Sequence, residues 1–360
     1  MIPVTILTGF LGSGKTTLLK RILNEQHGMK IAVIENEFGE ENIDNEILVQ
    51  DSQEQIIQMS NGCICCTIRG DLARVLGDLA QQKRDGKLDF DRVVIETTGL
   101  ANPGPVAQTF FMDNEIAGEF LLDAIITLVD AKHGNHQLDE HEVVQRQVGF
   151  ADRLFVTKAD LVDASELGDL HHRLMHMNPR AQIREVNFGE ADIKEVFDLR
   201  GFNLNAKLEI DPDFLAEDDH DHAHHDHGHD HAHEHADCDH DHGKCNHEGH
   251  DHGHHHHHPH HDDKIKSFVY RSDRPFDPNR LEDFLGGILQ IYGERLLRYK
   301  GVLYMKGVDR KVVFQGVHQL MGSDLAAKWL PIEKKGSKMV FIGIELPQDL
   351  ITDGLDACLA

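Results

Sequence analysis

Gly9-Phe10-Leu11-Gly12-Ser13-Gly14-Lys15-Thr16 decides how the rest of the chain is read. The stretch has the form G-x-x-x-x-G-K-[ST], a glycine loop whose backbone N–H groups cradle phosphates. Its surroundings agree. Val4-Thr5-Ile6-Leu7-Thr8 ahead of it is a β-branched apolar run and reads as a buried strand. Thr17-Leu18-Leu19-Lys20-Arg21-Ile22-Leu23 behind it has helical spacing. A strand, a glycine loop and a helix N-terminus together make an anion site, because unpaired amides and the helix dipole both favour negative charge. The expected phosphate-binding residues are Gly9, Gly12, Ser13, Gly14, Lys15, Thr16 and Thr17. Lys15 is expected to reach the β/γ-phosphates and the Thr16 hydroxyl to ligate Mg²⁺.

Outward from this loop, apolar runs alternate with helical segments. Residues 30–34 read as a second strand, running into the acidic turn Glu35-Asn36-Glu37-Phe38-Gly39-Glu40-Glu41. Residues 55–59 read as a further strand, ending at Asn61-Gly62-Cys63-Ile64-Cys65-Cys66, with a helix over 71–84. Residues 92–95 form a strand capped by Glu96-Thr97-Thr98-Gly99. Residues 124–129 end at Asp130, residues 153–156 end at Thr157-Lys158-Ala159-Asp160, and residues 183–186 form the last strand of the series. This alternation predicts a mostly parallel sheet covered on both faces, the α/β architecture of a P-loop NTPase domain. Ligands of such sheets sit at the carboxyl ends of strands, where these motifs fall.

From residue 217 to 263 the composition changes abruptly. Twenty-one of the 29 histidines lie there with 14 acidic residues and almost nothing apolar. Such a segment cannot bury enough surface to build a core and is expected to be a disordered linker. Beyond it, strands over 265–271, 298–305, 312–317 and 339–346, a helix over 279–292 and a final helix from Pro347 predict a small α+β domain. The expected organisation is a nucleotide-binding domain over 1–200, a His/Asp-rich linker over 201–263 and a C-terminal α+β domain over 264–360.

The formal charge of −26 argues against nucleic acid or an anionic membrane as partner. No run approaches the roughly eighteen apolar residues of a spanning helix. Six cysteines in 360 residues do not make a disulfide scaffold, and three of them fall in one tetrapeptide. That usage fits metal or redox chemistry in a reducing cytoplasm.

Thr157-Lys158-Ala159-Asp160 is similar to the N-K-x-D guanine motif. A carboxylate at Asp160 can accept from guanine N1–H and the N2 amino group. Adenine offers neither donor and would leave a desolvated carboxylate unpaired, so GTP is favoured over ATP. The Lys158 stem can lie along the base. Glu96 can hold Mg²⁺ directly or through water, and Gly99 lets the backbone approach the γ-phosphate. Lys15, Thr16 and Glu96 are thus the expected catalytic set. No glutamine is evidently placed to orient the attacking water, so slow intrinsic hydrolysis is expected.

Cys63, Cys65 and Cys66 supply three sulfurs, one short of a closed structural zinc site. A carboxylate from Glu35, Glu37 or Glu40, a water or a partner group can complete the set. Thiolate ligands select Zn²⁺, Cu⁺ or Co²⁺ over Mg²⁺. The alternatives are buried inert cysteines or a redox switch. The histidine tract, with Cys238 and Cys245, has no fixed ligand spacing and reads as many weak, exchanging sites for Zn²⁺, Co²⁺, Ni²⁺ or Cu²⁺.

With these motifs in place, the chain resembles the CobW-type P-loop GTPases and metallochaperones, in their YjiA-like branch. The resemblance rests on Gly9 to Thr16, the N-E-F-G-E segment Asn36 to Glu40, the C-x-C-C motif Cys63 to Cys66, the E-x-x-G motif Glu96 to Gly99 and the [ST]-K-x-D motif Thr157 to Asp160. Leu297-Arg298-Tyr299-Lys300-Gly301 and Met339-Val340-Phe341-Ile342-Gly343-Ile344 resemble the family's C-terminal domain. The resemblance implies GTP hydrolysis coupled to delivery of zinc, or of cobalt or nickel, to a client metalloprotein. It also implies Glu35, Glu40 and Cys65 as metal ligands. The partners expected are GTP/GDP, the client and, as an option, a second copy of the chain, with no nucleic acid or membrane. The competing readings are a metal buffer or storage protein, a redox-responsive GTPase, and a nickel-type metalloenzyme maturation GTPase.

Overall fold

A computed structural model describes residues 1–25, 27–35, 68–202 and 263–360. The expected strand over 55–59, Glu37, Glu40, the cysteines of the C-x-C-C motif, Cys238, Cys245 and the histidine tract lie outside the described residues.

The first sheet is six-stranded and parallel. It contains β1 (Ile2–Gly9), β2 (Ile31–Glu35), β3 (Arg92–Glu96), β4 (Phe120–Asp130), β5 (Arg153–Thr157) and β6 (Gln182–Glu185), in the order β2-β3-β1-β4-β5-β6. β1 to β5 read as near-continuous apolar runs because helices cover both faces of the sheet. On one face lies α1 (Lys15–Asn24), whose Leu18, Leu19 and Ile22 pack on Leu7, Val33 and Leu128. On the other lie α2 (Ile68–Arg84), α3 (Pro103–Met112), α6 (Glu142–Phe150) and α7 (Ala164–Met177). Short helices α4 (Asn114–Glu119) and α5 (Gly134–Glu140) join them, and α8 (Ile193–Val196) follows β6.

The second sheet is antiparallel, in the order β10-β9-β8-β11-β7: β7 (Ile265–Ser272), β8 (Leu296–Leu303), β9 (Arg310–Val317), β10 (Leu320–Lys328) and β11 (Ser337–Ile344). Alternation along β11 shows how it is placed. Met339 and Phe341 face a core made with α9 (Pro278–Tyr292) and α10 (Gln348–Ala357). Val340 and Ile342, pointing the other way, join Phe150 and Val148 of α6 in the core of the nucleotide-binding unit. The layer containing α6 is therefore shared by the two sheets.

A buried ion pair marks the junction. Arg298 on β8 donates to Asp152 Oδ1 at 2.8 Å and to the Gly201 carbonyl at 2.9 Å, with its guanidinium 3.6 Å from the Phe202 ring centroid. A Cβ at Gly201 would sit 2.4 Å from the Asp152 carboxyl carbon, so only glycine lets the pair close. β10 is absent from the sequence reading. It is an edge strand exposed along most of its length, so its residues carry no inward-outward alternation for a hydrophobic pattern to register.

Candidate nucleotide-binding site

The loop between β1 and α1 has the backbone a phosphate cradle requires. Gly12 and Gly14 have φ of 73° and 96°, in the left-handed region, and Gly14 caps α1 with no side chain on the first-turn amides. Those amides remain available to an anion. Gly9 is fixed by crowding: a Cβ there would meet the Leu128 carbonyl at 2.4 Å and Ser13 Oγ at 2.7 Å.

Lys15 folds back over the loop, donating to the Gly9 carbonyl at 2.9 Å and the Phe10 carbonyl at 3.1 Å. Burial pulls its pKa below the ordinary lysine value, and the Glu96 carboxylate partly offsets that effect. Thr16 Oγ1 donates to Glu96 Oε1 at 2.8 Å. The two groups expected to share a metal therefore converge, although 80 residues separate them. One hydroxyl and one carboxylate suit Mg²⁺, which keeps much of its own hydration. The donor set fits that ion, and it would polarise the phosphate oxygens once bound.

Glu35 ends β2 and is the Cα partner of Glu96 on β3. The first residue of the acidic turn thus stands one strand over from Glu96, about 4.8 Å between backbones. Among the described residues, no cluster of three or more His, Cys, Asp or Glu has metal-binding geometry. The described cysteine, Cys358, is buried in the C-terminal domain and donates to the Arg280 and Gly354 carbonyls.

The segment after β3 is tied down on two sides. The Thr97 N–H donates to the Leu7 carbonyl at 3.0 Å, and its hydroxyl donates to Thr8 Oγ1 at 2.9 Å. Gly99 presses on the phosphate loop itself: a Cβ would lie 2.6 Å from Leu11 N. The glycine is required here by contact between two loops, a reason the sequence does not reveal.

At the far end, Thr157 Oγ1 donates to the Ser13 carbonyl at 2.9 Å. Lys158, with φ of 57°, donates to the Gly12 carbonyl at 2.9 Å and Asp130 Oδ2 at 2.6 Å. The lysine ammonium thus stitches the guanine-type motif to the phosphate loop, a tie the sequence reading did not include. Asp160 follows in a short 3₁₀ turn and is exposed, open to a base. Thr17 is exposed on the first turn of α1.

Two further features were missed. Asp130 is 2 % exposed, and its other oxygen accepts the Lys132 and His133 N–H groups, so it orients Lys158. Its place at the end of an apolar strand was the available signal. After β6, Asn187 Oδ1 accepts the Ala159 N–H at 3.1 Å. Gly189, with φ of 75°, lies against the Thr17 carbonyl, and Phe188 between them is exposed. No motif announces this third loop.

Residues 3–185 match the family described as CobW/HypB/UreG, nucleotide-binding domain, and residues 265–359 match the cobalamin synthesis protein cobW C-terminal domain. The chain belongs to the CobW family of P-loop GTPases. The zinc chaperone YjiA of Escherichia coli is 40% identical over 353 residues, covering 97% of this chain and 96% of that protein. The zinc chaperone CobW of Pseudomonas aeruginosa is 32% identical over 393 residues, covering 100% and 92%. The crystal structure of Zn(II)-bound YjiA GTPase from E. coli superposes with a TM-score of 0.71 at 33% identity, covering 100% of this chain and 99% of that one.

Proposed function

We propose that this CobW-family chain is a GTP-hydrolysing metallochaperone that holds zinc at Cys63, Cys65 and Cys66, with Glu35 or Glu40 completing the set, and passes it to a client metalloprotein. Lys15 and the amides of the loop from Gly9 to Thr17 bind the phosphates. Thr16 and Glu96 hold Mg²⁺. Gly99 brings the backbone towards the γ-phosphate, and Asp160 reads guanine while Thr157 and Lys158 brace the loop beneath it.

The observation that supports nucleotide control is the register of β2 against β3. Glu35 and Glu96 are direct partners, so the first residue of the acidic turn stands beside the Mg²⁺-binding pair. Ordering of that turn by a γ-phosphate would move a carboxylate relative to the thiolates. The two sites would then be coupled reciprocally, with a typical magnitude of about 1–3 kcal/mol, roughly 5–150-fold in affinity. Zinc is favoured over nickel because both full-length relatives above are named zinc chaperones.

The test is competition titration of Zn²⁺ against a chelator with GDP and with a non-hydrolysable GTP analogue. The GTP state is expected to hold zinc more tightly, with hydrolysis releasing it. Equal affinities in the two states would sink the chaperone mechanism. Cys65→Ala is expected to remove most of the zinc affinity and the effect of metal on nucleotide preference, while nucleotide binding persists.

A further inference from the structure

α6 carries two glutamines whose partners belong to different parts of the molecule. Gln147 is fully buried. Its Nε2 donates to the Gly99 carbonyl at 3.1 Å and the Ala101 carbonyl at 3.0 Å. Two carbonyl acceptors fix the orientation of the amide, because the flipped form would set oxygen against oxygen. Its backbone carbonyl accepts from Thr127 Oγ1 on β4 at 2.7 Å, so the residue is anchored to the central sheet.

Gln145 stands two positions earlier. At 3.6 residues per turn it projects about 200° away from Gln147. Its Oε1 accepts the Lys264 N–H at 3.1 Å and the Ile265 N–H at 3.3 Å, where the C-terminal sheet begins. Its Nε2 donates to the Leu138 carbonyl at 2.9 Å. Gly149, further along the helix, is packed so closely that a Cβ would lie 2.8 Å from Leu297 of β8.

The two ends of the Gln147 amide are unequal. The donor end is committed to the segment over 99–101, whereas Oε1 is buried with no hydrogen-bond partner among the described residues. A buried acceptor left over is costly and calls for an explanation. The amide therefore holds the 99–101 segment through its NH₂ alone.

We infer that Gln147 is a positioning residue for GTP hydrolysis, latching the 99–101 segment to α6, while Gln145 on the same helix grips the start of the C-terminal sheet. Gln147 does not touch nucleotide. It sets where the Gly99 backbone stands against the phosphate loop, and a shift of that segment is felt through one rigid helix at Lys264 and Ile265. This rests on the reading of Gly99 as part of the γ-phosphate site.

The experiment uses the full-length protein with three variants. Gln147→Met keeps the side chain's length and volume but removes the donors. Gln147→Asn keeps an amide that is too short to span both carbonyls. Glu96→Gln tests the nucleotide site separately. Steady-state GTP hydrolysis, fluorescent-GDP affinity and hydrogen–deuterium exchange at residues 264–265 are measured with GDP and with a non-hydrolysable GTP analogue.

Gln147→Met is expected to lower kcat at least tenfold, leave KM and GDP affinity within about twofold, and abolish the nucleotide-dependent difference in exchange at 264–265. If Gln147→Met does not fold, Gln147→Asn is judged by the same split. Unchanged kcat with an unchanged exchange response overturns the inference. So does a loss of GDP affinity parallel to the loss of kcat, which marks general damage. Glu96→Gln separates the two readings. If it hydrolyses GTP normally, the assignment of the carboxyl end of β3, from which the 97–101 segment leads, to the nucleotide site has failed. If it is slow while Gln147→Met is normal, only the latch has failed.

Discussion

The two sheets put their polar residues to opposite uses. In the parallel sheet the strands are largely apolar, apart from one buried pair, Arg92 at the start of β3 with Asp123 in β4, and the site groups gather at carboxyl ends: Gly9, Glu35, Glu96, Asp130 and Thr157 each close a strand. In the antiparallel sheet the buried charges sit within the strands. Arg298 and Lys300 lie inside β8, pointing at Asp152 of the other unit. The difference follows from what covers each sheet. Helices on both faces of a parallel sheet leave only its ends open to a ligand. The antiparallel sheet lends one face to a neighbouring unit, and a face can carry charge only where the partner supplies the counter-charge. Chemistry at strand ends can be removed without unfolding, whereas charge within strands cannot.

That contrast can be broken at either side. The largest effect is expected for Lys15→Ala. A phosphate-site cation makes its contribution in the transition state, so phosphate release should fall by about 10²-fold or more, while circular dichroism and the unfolding midpoint stay near wild type. Turnover at the wild-type rate would remove this loop from the mechanism.

Asp152→Ala should do the reverse. It strands the Arg298 guanidinium in a buried site and should cost about 3–5 kcal/mol of stability in urea unfolding, with GDP affinity retained by the fraction that remains folded. A change under 1 kcal/mol would mean that water reaches Arg298 and that the charges across this interface are not truly buried.

Asp160→Asn sharpens the account of the strand ends. GTP affinity should drop by about 1–3 kcal/mol while xanthosine triphosphate improves, because the amide can donate to the xanthine carbonyl. Unchanged GTP affinity would show that the base is read elsewhere, with the loop around Phe188 the next place to look.

The smallest effect concerns His318, in the turn between β9 and β10. Its ring lies 5.2 Å from that of Phe150 on α6, and its Nδ1 is 3.2 Å from the Gly293 carbonyl. Burial lowers its pKa below 6.5, with Arg146 acting in the same direction and Glu294 opposing. The unfolded chain therefore binds the proton more readily than the folded one. Stability from this group is full above about pH 6.5 and declines as the pH falls below it. His318→Gln should flatten the unfolding midpoint between pH 5.5 and 8 relative to wild type. An unaltered pH profile would place the acid sensitivity elsewhere.

Much of the nucleotide-binding unit is legible because its signals are local. β1 to β5 and the glycine loop declare themselves through apolar runs and through residues needed at fixed offsets. α1 begins two residues before the helical spacing does, since Lys15 and Thr16 are helical while still serving the loop. β10 was illegible because an exposed edge strand need not alternate. In the sequence Asp130 shows only as the end of a strand. Its partner Lys158 lies 28 residues on and meets it only when β4 and β5 pair.

By itself the sequence determined which residue types could cradle a phosphate, hold a hard cation or offer thiolates, because such chemistry depends on spacing along a few residues. It also set the periodicity of most strands. Only the tertiary structure decided which groups meet. Thr16 joins Glu96 because β1 lies beside β3 in the sheet. Glu35 faces Glu96 because β2 takes the far side of β3. Gln147 reaches Gly99, and Gln145 reaches Lys264, because one helix is packed between two sheets. Those meetings depend on strand order and packing across long separations in the chain, where neither spacing nor local propensity carries information.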